Sequence, residues 1–277
     1  MSTAPLTLRQ CLLEAQALGL DRLDAQMLLL HALGRDPNAR SWLVAHDSDA
    51  MPDKVQGSFR MAMERRLQGE PVAYITGYKE FFGLDLQVDR RVLVPRPDTE
   101  TLVQWALDVL AGRENTGAID LGTGSGAIAL ALKHTLPTLD MHAVDFSEAA
   151  LQVARANAQR LQLAIAFTQS SWLDQAHGPF DLIVSNPPYI EANDPHLAAL
   201  TFEPPQALAS GTDGLDDIRT IATQSTDHLK PGGWLLLEHG YNQAAAVRAL
   251  LFEAGFLEVQ SRKDLAGLER CTGGCIA

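Results

Sequence analysis

The chain has 277 residues, enough for one large domain or two smaller ones, and its 46% hydrophobic and 20% charged residues are typical of a globular protein. We see no signal peptide and no apolar run near the roughly 20 residues that would cross a membrane, and three cysteines cannot form a disulfide framework, so we expect a cytoplasmic protein without a membrane partner. The formal charge of −12 falls mainly on residues 96–277, with 11 Lys and Arg against 22 Asp and Glu, and this disfavours direct nucleic-acid binding through a basic face.

Residues 1–73 are predicted to form a small helical domain. Thr7 and Asp21 stand where helix N-caps are expected, and Pro52 precedes a third helical stretch. Gly19, Gly34 and Gly69 end these stretches. Apolar residues recur at helical spacing, which most often reports core packing.

Residues 74–94 are predicted to form a β-hairpin that joins this domain to residues 95–277. Their apolar positions approach period two, with Gly77 and Gly83 as breaks. Residues 95–100 then lead into a helix, for which Asp98 is the expected N-cap.

From residue 117 onward, strands and helices alternate, which predicts an α/β fold with a mostly parallel, doubly wound sheet of the Rossmann-like kind. The predicted strands lie near residues 118–120, 139–144, 164–168, 180–185, 234–238 and 256–261. The predicted helices lie near residues 127–135, 148–161, 215–229 and 243–254.

A glycine-rich turn, Asp120-Leu121-Gly122-Thr123-Gly124-Ser125-Gly126, follows the first of these strands. Glycines permit a tight turn and close approach of a ligand to the backbone, although a purely structural turn would also use them. Asp145 ends the next strand, where an acidic residue can accept hydrogen bonds from a ribose, or can instead cap the following helix. No Lys-Ser or Lys-Thr pair follows the glycines, and the pocket offers Asp120 and Asp145 but no phosphate-binding cation. S-adenosylmethionine, which carries a ribose and a positive sulfonium, fits such a pocket.

The tetrapeptide Asn186-Pro187-Pro188-Tyr189 follows the predicted strand at residues 180–185, so it is expected to face the same cleft as the glycine-rich turn. An amide nitrogen is a poor nucleophile because its lone pair is delocalised. The side-chain carbonyl of Asn186 and the backbone carbonyl of Pro187 could hold the two N–H groups of an acceptor amide, while Tyr189 offers a flat face. The alternative is an ordinary Asn-Pro turn.

These residues resemble the class I S-adenosylmethionine-dependent methyltransferases, specifically the protein-(glutamine-N5) methyltransferases of peptide-chain release factors (PrmC/HemK), nearly from end to end. The matching segments include residues 71–75, 80–84, 95–100, 120–130, 143–145, 185–190, 202–204, 211–215, 238–240 and 263–267. The resemblance implies that Gly122 to Gly126 contact the methionine part of the cofactor and that Asp145 holds the ribose. Trp172 would line the adenine pocket, unless it is simply a core residue. Asn186 to Tyr189 would grip the acceptor glutamine, with Asn186 also near the cofactor.

The same resemblance implies that the acceptor is the glutamine of the Gly-Gly-Gln loop of class I release factors, with the helical domain and the hairpin helping to bind them. We expect a monomer. We also expect no metal site, because Cys271 and Cys275 offer too few ligands. Whether Glu203 is structural or contacts the substrate stays open.

Three alternatives remain. A methyltransferase for an exocyclic amine of DNA or RNA would need a basic groove and a base-flipping apparatus, and neither is visible in the sequence. A nicotinamide dehydrogenase would need Gly-x-Gly-x-x-Gly and would leave residues 186–189 unexplained. A non-catalytic scaffold would have no reason to keep both half-sites.

Overall fold

The computed structural model describes residues 6–277, which form two compact units with a boundary after Tyr78. The first unit is helical. Its helices are α1 (Leu8–Ala17), α2 (Arg22–Ala32), α3 (Arg40–Ala45), α4 (Asp53–Leu67) and α5 (Val72–Thr76).

The predicted caps of the first two helices are confirmed. The Thr7 hydroxyl accepts the Gln10 backbone N–H at 3.2 Å while the Gln10 side chain accepts the Thr7 N–H at 2.8 Å, a reciprocal capping box. Asp21 accepts the Leu23 N–H at 2.7 Å. The apolar faces of the helices of the first unit form a core of their own, which includes Leu28 of α2 and Phe59 of α4.

The hairpin begins later than the predicted position 74. Tyr74 and Ile75 are consecutive buried residues of the short helix α5, which Pro71 precedes and Gly77 ends at a φ of 82°. Two adjacent buried side chains fit a helical turn better than an alternating strand. The hairpin itself pairs β1 (Tyr78–Phe81) with β2 (Leu84–Gln87) through a two-residue turn in which Phe82 and Gly83 both have positive φ.

The second unit has a seven-stranded sheet in the order β5-β4-β3-β6-β7-β9-β8. Its strands are β3 (Gly117–Leu121), β4 (Asp140–Asp145), β5 (Ala166–Gln169), β6 (Phe180–Ser185), β7 (Leu229–Glu238), β8 (Leu257–Lys263) and β9 (Glu269–Cys275). Its helices are α6 (Glu100–Leu110), α7 (Ala127–Thr135), α8 (Glu148–Leu161), α9 (Asp216–Ser225) and α10 (Ala244–Glu253). The predicted α/β fold class is confirmed.

Both faces of the central strands β3 and β6 are buried, as expected for parallel strands covered by helices. Along β6, Leu182 and Val184 point to the core that contains α6 and α7, whereas Ile183 points to the core that contains α9 and α10. The strand order reverses beside β3, since β4 and β5 lie on one side of it and β6 and β7 on the other. The carboxyl ends of β3, β4 and β6 therefore meet where ligands usually bind in such sheets.

Strand β9 was not predicted. It lies between β7 and β8 and runs antiparallel to both. A Cβ on Gly273 would lie 2.4 Å from Leu236 Cδ2, so the strand needs glycine for close packing even though glycine hides the strand pattern. Cys271 and Cys275 are buried and unbonded there, and no group of three potential metal ligands occurs in the described part of the chain.

The start of α6 also differs from the expectation that Asp98 is its N-cap. Pro97, Asp98 and Thr99 form a 3-10 turn, and α6 continues from it without a side-chain cap. The Asp98 carboxylate lies 3.4 Å from the Arg270 guanidinium instead, because the turn directs it toward β9. Among the helices of residues 6–277, none is long and apolar enough to span a membrane.

Candidate active site

The glycine-rich loop joins β3 to α7 in a conformation that requires its glycines. Gly122, Gly124 and Gly126 have φ values of 68°, 56° and 85°, in the left-handed region that other residues rarely adopt. A Cβ on Gly126 would lie 2.9 Å from Leu130 Cδ1, whereas a Cβ on Gly124 would meet no heavy atom within 4 Å. The backbone at Gly124 is therefore open to the approach of a bound group.

Polar side chains hold this loop from behind. The Thr123 hydroxyl donates to Asp120 Oδ2 at 2.6 Å, and the Ser125 carbonyl accepts the Asn157 amide at 2.9 Å. Asp120 is fully buried, and burial raises its pKa to about 7. Asp120 Oδ1 has no hydrogen-bond partner in the described structure. These residues shape the loop, and their predicted contact with a cofactor stays a prediction.

Asp145 ends β4 and faces the loop. Its Oδ2 accepts the Gly124 N–H at 2.9 Å and its Oδ1 accepts the Ser147 N–H at 2.8 Å. Ser147, not Asp145, is the N-cap of α8, where its hydroxyl accepts the Ala150 N–H. Because each carboxylate oxygen can accept a further hydrogen bond, Asp145 can still accept two hydroxyl groups. Burial raises the pKa of this carboxyl above its ordinary value.

A cavity of about 270 Å³, here called the donor cavity, lies at the carboxyl ends of β3, β4 and β6. The predicted site residues that line it are Gly122, Gly124, Asp145, Trp172, Asn186 and Pro188. Asp120, Thr123, Ser125, Gly126 and Pro187 are not among its lining residues. The glycine-rich loop and the start of the tetrapeptide thus border the same space.

Aromatic side chains supply part of the wall of the donor cavity. Trp172 has a φ of 46° and its ring packs against Gly122, where a Cβ would lie 3.2 Å from Trp172 Cζ3. Phe146 also lines the cavity and is 74% exposed. Sequence reasoning missed Phe146, although its position directly after the acidic residue at the strand end was a usable signal.

One cation, Arg91, also lines the donor cavity, for which the sequence analysis predicted no phosphate-binding cation. Arg91 precedes the sheet in sequence, and no pattern connects it to the glycine-rich loop. Its guanidinium forms a bidentate pair with Asp89, with N–O distances of 2.9 and 2.6 Å. The charge of Arg91 is therefore already balanced within the protein.

The tetrapeptide follows β6 and is fixed by its neighbours. The Ser185 hydroxyl donates to the Leu121 carbonyl at 2.7 Å, which ties the end of β6 to β3. The Asn186 amide Nδ2 donates to the Thr99 hydroxyl at 3.1 Å. Gln243 donates to the Tyr189 carbonyl at 3.0 Å and accepts the Gly240 N–H at 2.8 Å. Because one Nδ2 hydrogen is bonded to Thr99, Asn186 keeps its Oδ1 as an acceptor and one N–H as a donor for a ligand.

A smaller cavity of about 140 Å³, here called the acceptor cavity, adjoins the donor cavity. Asn186 lines both, and Tyr189 lines the smaller one. The remaining lining residues are mostly apolar: Leu93, Ile190, Leu200, Ala207 and Leu208, with Arg96 as the cation. Two cavities that share Asn186 can hold two reacting groups side by side.

Arg96 and Glu203 form an ion pair beside the acceptor cavity. Glu203 is 4% exposed and also accepts the Val94 N–H at 3.2 Å. The Glu203 carboxylate therefore has a structural role, because it ties Val94 and Arg96, in the segment before α6, to the loop that contains Glu203.

Glu238, at the end of β7, is a buried carboxylate next to the tetrapeptide. It is 1% exposed, and Oε1 accepts the Tyr189 hydroxyl at 3.3 Å. Burial raises the pKa of Glu238 to about 7, while the Thr99 and Tyr189 side chains lower it. Sequence reasoning assigned no role to Thr99 or Glu238, because they are distant in sequence and become neighbours only through the fold.

Family comparisons match both units of the chain. Residues 99–251 match the family model described as Methyltransferase small domain, and residues 7–77 match PrmC N-terminal domain.

Relatives of known name are similar over nearly the full length. The release factor glutamine methyltransferase of Bordetella pertussis is 48% identical, over 92% of this chain and 95% of that protein. Those of Xylella fastidiosa and Burkholderia pseudomallei are both 46% identical, over 95% and 92% of this chain and 96% and 92% of those proteins.

Solved structures share the fold at low identity. A methyltransferase from Pyrococcus furiosus has a TM-score of 0.56 at 20% identity and covers 79% of this chain and 98% of its own. A Thermus thermophilus 16S rRNA methyltransferase in complex with AdoMet and guanosine has a TM-score of 0.54 at 17% identity, with 72% and 50% coverage. At these identities the likeness concerns the fold alone.

Proposed function

The chain belongs to the release factor glutamine methyltransferase family, and from this premise we propose that it methylates N5 of the glutamine in the Gly-Gly-Gln loop of class I peptide-chain release factors, supporting translation termination. The methyl donor would be S-adenosyl-L-methionine, with S-adenosyl-L-homocysteine as the product. The observation that carries this proposal is the pair of adjoining cavities that share Asn186.

The donor cavity has the chemical features that S-adenosyl-L-methionine requires. When this cofactor is bound, its sulfonium group supplies an electrophilic methyl group. The open backbone at Gly124 would accommodate the methionine part, and the spare lone pairs of Asp145 would accept the ribose hydroxyls. The rings of Phe146 and Trp172 offer flat apolar surface for adenine. The negative charge of Asp145 favours a cationic ligand.

The acceptor cavity suits a planar side-chain amide. Asn186 Oδ1 and the Pro187 carbonyl would accept the two N–H groups of the glutamine and aim its nitrogen at the donor cavity. Positive charge develops on that nitrogen as the carbon–nitrogen bond forms, and the two carbonyl dipoles stabilise it. The proton that leaves the nitrogen afterwards is strongly acidic, so no dedicated base is required. Tyr189 would pack against the amide plane.

An exocyclic amine of DNA or RNA is the alternative acceptor, because it is also a conjugated NH₂ group. The fold is shared with a methyltransferase of rRNA. Against this alternative, residues 96–277 carry twice as many acidic as basic residues, which would repel a phosphate backbone. A release factor is therefore the favoured acceptor, without direct contact to nucleic acid.

We propose a separate role for each of three parts of the chain. Residues 1–73 would help to bind the release factor, residues 74–94 would link the two parts, and residues 95–277 would carry out methyl transfer. We further propose that the protein acts as a monomer in the cytoplasm, where release factors work.

Methyl transfer from labelled S-adenosyl-L-methionine to a purified release factor tests the proposal. A copy of the release factor with the loop glutamine changed is the matched control. Label on the first protein and none on the second is the expected result. Label on DNA or RNA, and on neither protein, would instead favour the nucleic-acid alternative.

A further inference from the structure

The residues that contact Asn186 and Tyr189 converge on one carboxylate. Asn186 Nδ2 donates to the Thr99 hydroxyl at 3.1 Å, and the Tyr189 hydroxyl donates to Glu238 Oε1 at 3.3 Å. The Thr99 side chain lowers the pKa of Glu238, which places Thr99 near this carboxylate, although Oε2 accepts no hydrogen bond within residues 6–277. Thr99 is 4% exposed and Glu238 is 1% exposed, so both side chains are shielded from bulk solvent.

Glu238 Oε2 has no hydrogen-bond partner within residues 6–277. An unpartnered carboxylate oxygen in a buried position is costly, so such an atom in a native protein requires an explanation. Asn186, Pro187 and Tyr189 account for the proposed contacts with the acceptor amide, and Glu238 is not among them.

We propose that Glu238 is a positioning residue for methyl transfer, which fixes the orientation of the Asn186 amide through Thr99 and that of the Tyr189 ring through its hydroxyl. The inference rests on the proposed function, since it deepens the account of the same acceptor site.

The orientation of the Asn186 amide depends on what Thr99 and Glu238 can each donate and accept. A hydroxyl has one proton to donate, whereas an ionised carboxylate can only accept. In this proposal the Thr99 hydroxyl turns its proton toward the unpartnered Oε2 of the ionised Glu238 and forms a hydrogen bond to it. Thr99 is then left as an acceptor, and only the NH₂ side of Asn186 can face it. Asn186 Oδ1 is then held toward the cavities, which is the orientation that an acceptor N–H group needs.

A neutral group at position 238 removes this directionality. A protonated Glu238 can donate to Thr99, and Thr99 can then donate to Asn186 Oδ1, which turns the wrong face of the amide to the substrate. The charges around Glu238 come from separate elements: Asp98 raises its pKa, Arg270 lowers it, and the Tyr189 hydroxyl and the Cys271 thiol lie close by. Its pKa of about 7 lies within the range in which an assay can detect the change.

Glu238→Gln is the first test, because glutamine has the same shape but mixes donor and acceptor. Thr99→Val, which removes the hydroxyl, and Thr99→Ser, which keeps it, complete the set, and Glu253→Gln on the exposed side of α10 is the matched control. We expect Glu238→Gln and Thr99→Val each to lower kcat about tenfold, as for one hydrogen bond to a charged group. Affinity for S-adenosyl-L-methionine, measured by calorimetry, should stay unchanged in both.

The readouts distinguish positioning from a merely structural role. The double variant Glu238→Gln, Thr99→Val should be no slower than either single variant, since both act through one chain of contacts. Thr99→Ser should restore most of the wild-type kcat. The kcat of the wild type should rise with pH through about 7 and that of Glu238→Gln should not.

Additive losses, or a wild-type pH profile in Glu238→Gln, would overturn the proposal even if one variant were unstable, because Thr99→Val and Thr99→Ser test the same chain independently. A wild-type protein that labels no release factor would instead contradict the proposed function, so the two failures are distinguishable.

Discussion

At the residue scale, Asn186 is the side chain that connects the two cavities, since it lines both while its Nδ2 is bonded to Thr99. We expect Asn186→Ala to lower kcat by roughly 10²–10³, as for the loss of one group that stabilises developing charge. Binding of S-adenosyl-L-methionine should remain measurable, because the glycine-rich loop and Asp145 are untouched. Single-turnover methylation and a calorimetric titration measure the two effects separately, and unchanged turnover would contradict the assigned role.

Asp145 should behave in the opposite way. Asp145→Ala removes the acceptor proposed for the ribose and the bonds to the Gly124 and Ser147 N–H groups. We expect a loss of cofactor affinity of at least tenfold, with a smaller effect on kcat at saturating cofactor, in line with about 1.5–3 kcal/mol per hydrogen bond to a charged group. The cofactor affinity of Asp145→Asn, which keeps one carbonyl oxygen, should lie between that of the wild type and that of Asp145→Ala. Normal affinity in Asp145→Ala would rule out the ribose contact.

Contiguity in sequence decided which site residues could be predicted. Gly122, Gly124, Asp145 and Asn186 each stand at the end of a recognisable strand, and the topology of a parallel sheet brings such ends together. Glu238 also ends a strand, but its meaning depends on Thr99, which a 3-10 turn carries to the same point. Contacts between a turn and a distant strand end leave no periodic signal in a single sequence.

At the element scale, the loop between β3 and α7 contains glycines with different tasks, and substitution can separate them. Gly126→Ala would press a methyl group against Leu130 Cδ1 at 2.9 Å and Ala154 Cβ at 3.3 Å, with φ at 85°. We expect a loss of roughly 2–4 kcal/mol in the free energy of unfolding, from left-handed strain and overpacking together.

Gly124→Ala is the matched variant, because its methyl group would meet no protein atom within 4 Å and would point into open space. The stability cost should be limited to roughly 1–2 kcal/mol for the left-handed φ. Cofactor affinity should fall more than in Gly126→Ala when both are assayed well below their melting temperatures. Urea unfolding and calorimetry measure the two quantities, and equal affinities would show that Gly124 does not adjoin the cofactor.

The elements that the sequence predicted well have strong periodicity and clear ends. Helices α7 and α8 and strand β6 begin and end where the apolar pattern indicates. Strand β9 was not predicted because it contains Gly273 and Gly274 near its carboxyl end, where the close approach of neighbouring atoms excludes a side chain. Helix α5 was not predicted because Tyr74 and Ile75 have side chains that favour strands. Pro71 and Gly77 bound the segment, which forms a short helix instead.

At the scale of the whole molecule, the fold buries carboxylates that the sequence could not identify as unusual. Asp120 and Glu238 are fully buried at the ends of β3 and β7, and burial raises the pKa of each to about 7, from 3.8 and 4.5. Neighbouring acidic residues contribute to both shifts in a chain whose net charge is negative. Asp145 raises the pKa of Asp120, and Asp98 raises the pKa of Glu238. Only the three-dimensional arrangement of the strand ends produces these environments.

Both shifts have the same consequence for stability. A carboxyl group with a raised pKa in the folded state binds more protons there than in the unfolded chain, so its contribution to stability is complete below its unfolded pKa and is lost as the pH rises through about 7. Between about pH 5 and pH 7, each group should lower the free energy of unfolding by up to ~1.4 kcal/mol per pH unit.

Glu238→Gln removes one of these titrations without a change of shape. We expect the wild type to lose stability relative to Glu238→Gln as the pH rises from 5 to 8, with the two converging toward acid, where Glu238 is neutral in the wild type as well. Urea unfolding at each pH measures the difference, and Glu253→Gln on the exposed side of α10 should follow the wild type throughout. A difference in the free energy of unfolding between the two proteins that is constant with pH would mean that Glu238 stays ionised in the folded protein. The ionised carboxylate would then remain available as the acceptor for Thr99 and Tyr189 at every pH of the assay.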